Sequence, residues 1–346
     1  MNLLLAGALG ADERADWAAA LHQALPGHTL HLARSPTVDP LIDAAIVANP
    51  APGSLAGLPG LRLIQSLWAG VDRLLADATL PPGVAIARMV DPAMTAAMAE
   101  TALWATLALH RGFFNYAHQQ QAALWRPLPQ CRADEWPVLV LGFGQMGRAV
   151  ALRLAQQGYP VTAWRRGAAA GPAAADGLPA ATAARSTADV MAALPVALPA
   201  ERPAALTGVT VVSGGAAPAH ALAQARTVIN MLPLTPDTRG LIDAGWLAGL
   251  RRGAGLVNLA RGAHVVDADL LAALDSGQLG HAVLDVFATE PLQAGHRYWQ
   301  HRQVTVLPHA AALTDLRSAA ALVARNIDAL AAGRPLHHRV VREAGY

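Results

Sequence analysis

VLVLGFGQMG, residues 138–147, sets four apolar residues directly ahead of Gly142, Gly144 and Gly147 in G-x-G-x-x-G spacing. The amphipathic stretch RAVALRLAQQG follows at once, then the short apolar run YPVTAW. This succession predicts a strand, a tight turn, a helix and a second strand, the opening unit of a parallel α/β sheet. Each glycine has its own task in such a unit: turning the chain, admitting a pyrophosphate close to the backbone, and letting the helix pack on the strand. A phosphate held there would meet the first helical amides, at Gln145 and Met146. Three glycines can also merely end a strand. The flanking strand, helix and second strand favour a dinucleotide site instead.

The second strand ends in Trp164-Arg165-Arg166. A site reading the adenosine ribose of NAD would carry Asp or Glu here, to accept from the ribose hydroxyls. Arginine favours the additional 2′-phosphate of NADP through charge-assisted bonds. Two solvated surface arginines are the alternative. The expected cofactor is therefore NADP(H), with NAD(H) as the second choice.

Outward from this unit the same rhythm continues in both directions. Before it, LLLAG, HTLHLA, AAIVAN, LRLIQSL and VAIARM alternate with helix-like stretches over residues 1–90. Helical periodicity runs from Asp91-Pro92 to Gln121, and QQQAALWRPLPQCRADEWP reads as an extended, proline-broken arm. After it, VTVVSG, TVINMLPL, GLVNLARG, HAVLDVF and VTVLPH supply further strands, six or seven in all. The last helix, TDLRSAAALVARNIDALAAG, is amphipathic and is expected to pack back on the first half, so that the chain crosses twice. The fold class is thus α/β, with two Rossmann-like or flavodoxin-like domains of parallel strands and the nucleotide-binding domain inserted in the substrate domain. Residues 1–99 with 312–346 form the substrate domain, and 100–311 the NADP-binding domain. An Ala/Pro-rich insertion, 167–208, interrupts the latter between its second and third strands and has the composition of a mobile excursion, with a helix expected at TADVMAAL.

Composition narrows the chemistry. A chain of 346 residues is long for one core, and 53% hydrophobic with 5% aromatic residues suits a compact α/β protein. The formal charge of +2 gives no reason to expect nucleic acid. Cys131 is the lone cysteine, which excludes an internal disulfide and a multi-cysteine metal site, and points to a reducing cytoplasm. No metal site is expected. MNLLLAGALGADERADW reads as a first strand and helix rather than a leader, and no apolar run is long enough for a bilayer. There is no lysine, so Schiff-base chemistry and a lysine-bearing P-loop are ruled out.

Arg261, Glu290 and His309 each stand just past an apolar strand, at the edge where open α/β sheets bind ligands. A 2-oxo acid presents a carboxylate and a ketone. Its reductase needs a fixed cation for the first and a proton donor for the oxygen that gains charge as hydride arrives. Arg261, after GLVNL, suits the cation. His309, after VTVLP, suits the acid; an ordinary imidazole is mostly neutral at pH 7, so it needs a carboxylate beside it to favour imidazolium, and Glu290 in DVFATEP can supply that. Alone, each would be read as a turn or surface residue. Together, after one glycine loop, they read as a catalytic set.

These residues resemble the D-isomer-specific 2-hydroxyacid dehydrogenases, and within them the glyoxylate/hydroxypyruvate reductase branch. LGFGQMG, INMLPLTPDTRGLI, GLVNLARGAHVVDADLLAALDSGQL, AVLDVFATEPL and VTVLPHAAALT carry the likeness, which spans nearly the whole chain apart from the insertion. The resemblance implies that Arg261 binds substrate, that His309 is the general acid with Glu290 as its partner, and that Asp285 lies near the nicotinamide carboxamide. It also implies that Leu232 and Pro233 line the cofactor cleft. SLWAGVD would be the substrate loop, with the amides of Ala69, Gly70 and Val71 receiving the carboxylate and Trp68 bordering the pocket. A D-2-hydroxy acid product and a homodimer touching through Leu124, Trp125 and Pro127 are implied by the same likeness; the competing reading buries Trp125 within one chain. Two other functions stay open at this point: an NAD-dependent dehydrogenase of phosphoglycerate or phosphonate type, and a dinucleotide-sensing corepressor-like binding protein.

Overall fold

The computed structural model of the chain describes residues 1–165, 208–214 and 218–345. It folds into two sheets whose strands all pair in parallel. The first contains β1 (Asn2–Gly7), β2 (Thr29–His31), β3 (Ile42–Ala48), β4 (Leu63–Ser66) and β5 (Ala85–Ala87), in the flavodoxin-like order β2-β1-β3-β4-β5. These strands are short apolar runs because both of their faces are covered. Leu3 and Leu5 meet Trp17 and Leu21 of α1 (Ala11–Ala24) on one face, and Leu4 and Ile64 meet Leu74 of α2 (Asp72–Leu75) on the other.

Two helices occupy the stretch where one was expected. α3 (Pro92–His110) starts with Pro92 in its first turn and with the Asp91 carboxylate accepting from the Ala93 N–H at 3.1 Å, as an N-cap should. It ends at Gly112, whose φ of +70° is the left-handed conformation open to glycine, and the chain resumes as α4 (Phe113–Gln121) before the arm.

The second sheet contains β6 (Val138–Leu141), β7 (Val161–Arg165), β8 (Val209–Ser213), β9 (Thr227–Asn230), β10 (Ala254–Asn258), β11 (Leu279–Leu284) and β12 (Val304–Val306). α5 (Gln145–Gln156), α6 (Ala219–Gln224), α7 (Ala244–Ala248) and α8 (Asp267–Asp275) connect them. Their order, β12-β11-β10-β9-β6-β7-β8, reverses direction between β6 and β9, which creates a ligand crevice at the carboxyl ends of those strands. β7 and β8, the described strands on either side of the expected insertion, pair directly with each other. Arg166, the segment 167–208 apart from Gly208, and the helix expected at TADVMAAL lie outside the described residues.

α9 (Leu316–Ala331) returns to the first half, where Ala319, Val323 and Ile327 enter the core built by Leu3, Leu5 and Trp17. Its Ser318 hydroxyl donates to the buried Asp91 carboxylate at 2.8 Å. The two crossings are thus fastened to one another at their helix starts.

Candidate active site

The glycine loop divides its labour as the spacing predicts. Gly142 has φ +94°, and a methyl group on it would sit 2.8 Å from the Met231 carbonyl oxygen, so it is both turn and close contact between β6 and β9. On Gly147 a methyl group would lie 2.0 Å from the Gly142 oxygen, which is the tight packing of α5 on its strand. Around Gly144 no atom lies within 4 Å of such a group. Gly144 is the N-cap of α5 and brings no side-chain cap, so the amides over Gln145 and Met146 are free to meet a phosphate. The residues present therefore fit a dinucleotide.

At the end of β7, Trp164 is buried and Arg165 donates through Nε to the Ser213 hydroxyl of β8 at 3.0 Å. Among the described residues the two terminal nitrogens of Arg165 have no such partner. On the other side of the switch point, Leu232 is buried and its N–H is held by Asn230 Oδ1 at 3.2 Å, while the Pro233 carbonyl accepts from Thr238 at 2.8 Å. Both cleft-wall residues are thereby fixed.

Arg261 stands just beyond β10 and meets the loop 68–71 of the other half. Its Nη2 lies over Gly70 so closely that a methyl group on that glycine would fall 1.3 Å away. Its Nε donates to Asp72 Oδ1 at 3.0 Å, and its Nη1 to the Ala260 carbonyl at 2.7 Å. The guanidinium is therefore oriented by a carboxylate 189 residues away in sequence. In the loop, the Trp68 carbonyl accepts from Met89 at 3.1 Å, and Trp68 and Ala69 pack against the first core. Val71, buried, starts α2. Sequence reading finds this loop only by resemblance and misses Asp72, whose one signal is a carboxylate opening a short helix.

His309 has φ +55°, a conformation uncommon for a residue with a side chain and one that must be held by its surroundings. Asp285 does the holding. Its carbonyl accepts from the His309 N–H at 2.9 Å, and its carboxylate accepts from the Ala310 and Ala311 N–H groups at 2.7 and 3.1 Å. Burial raises the Asp285 carboxyl above its ordinary pKa, while those two amides and the nearby His309 work in the opposite direction. The imidazole so presented is half exposed, and its Nδ1 lies 2.8 Å from Glu290 Oε2. Glu290 Oε1 accepts from the Phe287 N–H at 2.9 Å, so the carboxylate is fixed at both oxygens. With Nδ1 committed to Glu290, Nε2 is the ring nitrogen that remains for another partner.

Gly262 joins the two turns. A methyl group on it would sit 1.9 Å from the Phe287 carbonyl carbon, so the residue after Arg261 lies flat on the backbone that anchors Glu290. A concavity of about 550 Å³ exists elsewhere, lined by Phe114, His118, His281 and Trp299, and none of the expected site residues borders it. Among the described residues no cluster of His, Cys, Asp and Glu could hold a metal ion.

A cleft-edge arginine and a carboxylate-bound imidazole beside a dinucleotide loop define a class of oxidoreductase, and known proteins agree. Residues 103–203 and 180–311 match the family described as D-isomer specific 2-hydroxyacid dehydrogenase, NAD binding domain. A protein named glyoxylate/hydroxypyruvate reductase A, from Serratia proteamaculans, is 37% identical over 92% of each chain. Among solved structures, a D-isomer specific 2-hydroxyacid dehydrogenase of Xanthobacter autotrophicus Py2 in complex with NADPH and MES superposes with a TM-score of 0.83, at 35% identity, covering 100% of this chain and 99% of that one. An NADPH-dependent glyoxylate/hydroxypyruvate reductase of Sinorhizobium meliloti, bound to NADP and sulfate, gives 0.81 at 30% identity with the same coverage. The chain belongs to the D-isomer specific 2-hydroxyacid dehydrogenase family, in its glyoxylate/hydroxypyruvate reductase branch.

Proposed function

We propose that the protein reduces glyoxylate, hydroxypyruvate or a similarly short 2-oxo acid to the D-2-hydroxy acid, with NADPH as the preferred donor. The observation that carries this reading is the Arg261 guanidinium seated across the Gly70 loop, a fixed cation between the two halves of the fold. Bound nicotinamide supplies the hydride. Arg261 and the amides of Ala69, Gly70 and Val71 hold the substrate carboxylate, and Trp68 limits the size of the group attached to the ketone carbon. His309 Nε2 gives its proton to the ketone oxygen as charge develops there, with Glu290 stabilising the imidazolium that precedes transfer. Asp285 and Pro233 shape the nicotinamide end of the cleft.

The preference for NADPH rests on Arg165 at the end of β7, where a carboxylate is missing, and on its neighbour Arg166. NADPH and NADP in the two solved relatives support it. We divide the chain into a substrate domain, 1–99 with 312–346, and an NADP-binding domain, 100–311. Trp125 is 97% exposed and Leu124 47%, which disfavours a Trp buried within one chain and favours a homodimer in which a second copy covers the arm. The lone Cys131 is free, and no described helix is long and apolar enough to cross a membrane. We assign the protein to the cytoplasm. Following NADPH absorbance against a panel of 2-oxo acids tests the activity. Turnover with glyoxylate or hydroxypyruvate is expected, and the absence of turnover with every acid would overturn it; NADH used as well as NADPH would remove the cofactor preference alone.

A further inference from the structure

Beneath the Arg261 turn lies a polar cluster to which the reaction assigns no part. His264, with 0% of its surface exposed, places Nδ1 3.0 Å from Asn230 Nδ2 and Nε2 3.3 Å from the Pro233 carbonyl. Asn230 and Asn258, also 0% exposed, complete the cluster: Asn230 Nδ2 donates to Asn258 Oδ1 at 3.0 Å, and Asn258 Nδ2 donates to the Arg261 carbonyl at 3.0 Å.

The hydrogens in this cluster can be placed by elimination. Asn230 Oδ1 accepts from the Leu232 N–H at 3.2 Å, so its amide nitrogen is the group that faces His264 Nδ1. A donor facing Nδ1 requires that Nδ1 accept. The ring's proton then sits on Nε2 and is given to Pro233. Although the Arg261 carbonyl lies 3.1 Å from Nδ1, its two lone pairs already accept from Asn258 Nδ2 at 3.0 Å and from the His264 N–H at 3.3 Å. An Nδ1–H tautomer, or imidazolium, would press one N–H against another in a site closed to water.

We propose that His264 is a positioning residue, a neutral ring with its proton on Nε2 that ties the turn presenting Arg261 to the Pro233 wall of the cofactor cleft. Both ring nitrogens, carried on the turn after β10, reach the exit of β9: Asn230 closes that strand, Pro233 follows it, and Asn230 also reaches the Arg261 turn through Asn258. Burial lowers the ring's pKa and the Arg261 guanidinium acts with it, against the Pro233 and Arg261 carbonyls and the Asp72 charge.

The inference rests on the reading of Arg261 as the substrate cation, and its test separates the two. Nitrogen-15 NMR of the wild-type protein at pH 7 reports the tautomer directly and needs no turnover: Nε2–H with unprotonated Nδ1 is expected, and Nδ1–H or a doubly protonated ring overturns the assignment. In the enzyme assay, His264→Leu removes both ring bonds, His264→Asn keeps only the acceptor for Asn230, and His264→Gln keeps only the donor to Pro233. His264→Leu is expected to raise KM for the 2-oxo acid about tenfold to a hundredfold while the Kd for NADPH stays within about twofold, because a small misplacement of Arg261 is felt by the substrate alone. His264→Asn and His264→Gln are expected to recover part of that loss. An unchanged KM in all three variants overturns the inference; should none fold, the NMR result decides. A wild-type protein with the expected tautomer and no turnover would overturn only the activity.

Discussion

Two strand exits of one sheet, past β10 and past β12 with β11 between them, present Arg261 and His309, and the two turns are held by opposite means. The Arg261 turn rests on Asn230, Asn258 and His264, a set with no exposed surface that bonds entirely through neutral groups. The His309 turn is held by two carboxylates: Asp285 clamps its backbone in the left-handed region, and Glu290 grips its ring. The difference fits what the proposed reaction asks of each side chain. Arginine keeps its charge at any working pH, so its support has only to keep it in place. In the proposed reaction histidine gains and loses a proton, and a carboxylate partner favours its charged form.

The sharpest break of this contrast is on the histidine side. His309→Gln keeps a hydrogen-bonding side chain of similar reach but removes the transferable proton; kcat is expected to fall about 10²- to 10⁴-fold with the Kd for NADPH unchanged. Near-normal turnover would reject the acid role. Glu290→Gln leaves an acceptor facing Nδ1 and removes only the charge, so a smaller loss in kcat, about tenfold to a hundredfold, is expected. If the two variants lost equal activity, position rather than charge would be what Glu290 provides.

Gly262 tests how far the Arg261 turn and the turn that carries Glu290 depend on each other. Gly262→Ala forces a methyl group into the Phe287 backbone, 1.9 Å from its carbonyl carbon, and backbone cannot swing aside as a side chain can. A stability loss of about 3 kcal/mol, read as a lowered urea midpoint, is expected, together with impaired binding of the 2-oxo acid. A variant of native stability would mean that the two turns move independently.

Much of this contrast is legible in the sequence, and the rest is hidden for one physical reason. Strands buried on both faces leave unbroken apolar runs, so β6, β10 and β11 and the polar residues just past β10, β11 and β12 can be found from periodicity alone. The glycine loop is legible because its constraints are local. Gly112 gives no comparable signal, since helical periodicity continues across it although its left-handed φ breaks the helix. Asp72, Asn230 and His264 escape a reading of the sequence because their roles are defined by partners 189, 28 and 34 residues away, brought together only by the order of the strands. A histidine or asparagine in an apolar segment carries no mark of its partner.

Acid probes the neutral side of the contrast with the smallest expected effect. Burial, with repulsion from His118 and His301, lowers the pKa of His281 in β11 to about 4, and burial lowers that of His264 as well. In the unfolded chain both rings take up a proton near pH 6.5. Between pH 6.5 and about 4 the unfolded state therefore binds more protons than the folded one, so stability must fall as pH falls through this window. For His281 the loss approaches at most about 3 kcal/mol, since each unit of pKa difference is worth about 1.4. Replacing it by Gln, which can still reach Thr305 as the ring does at 2.9 Å, is expected to flatten the dependence of the urea midpoint on pH over that window. An unchanged slope would mean that His281 gains its proton in the folded state after all. The remaining slope would then have to come from other groups, His264 among them.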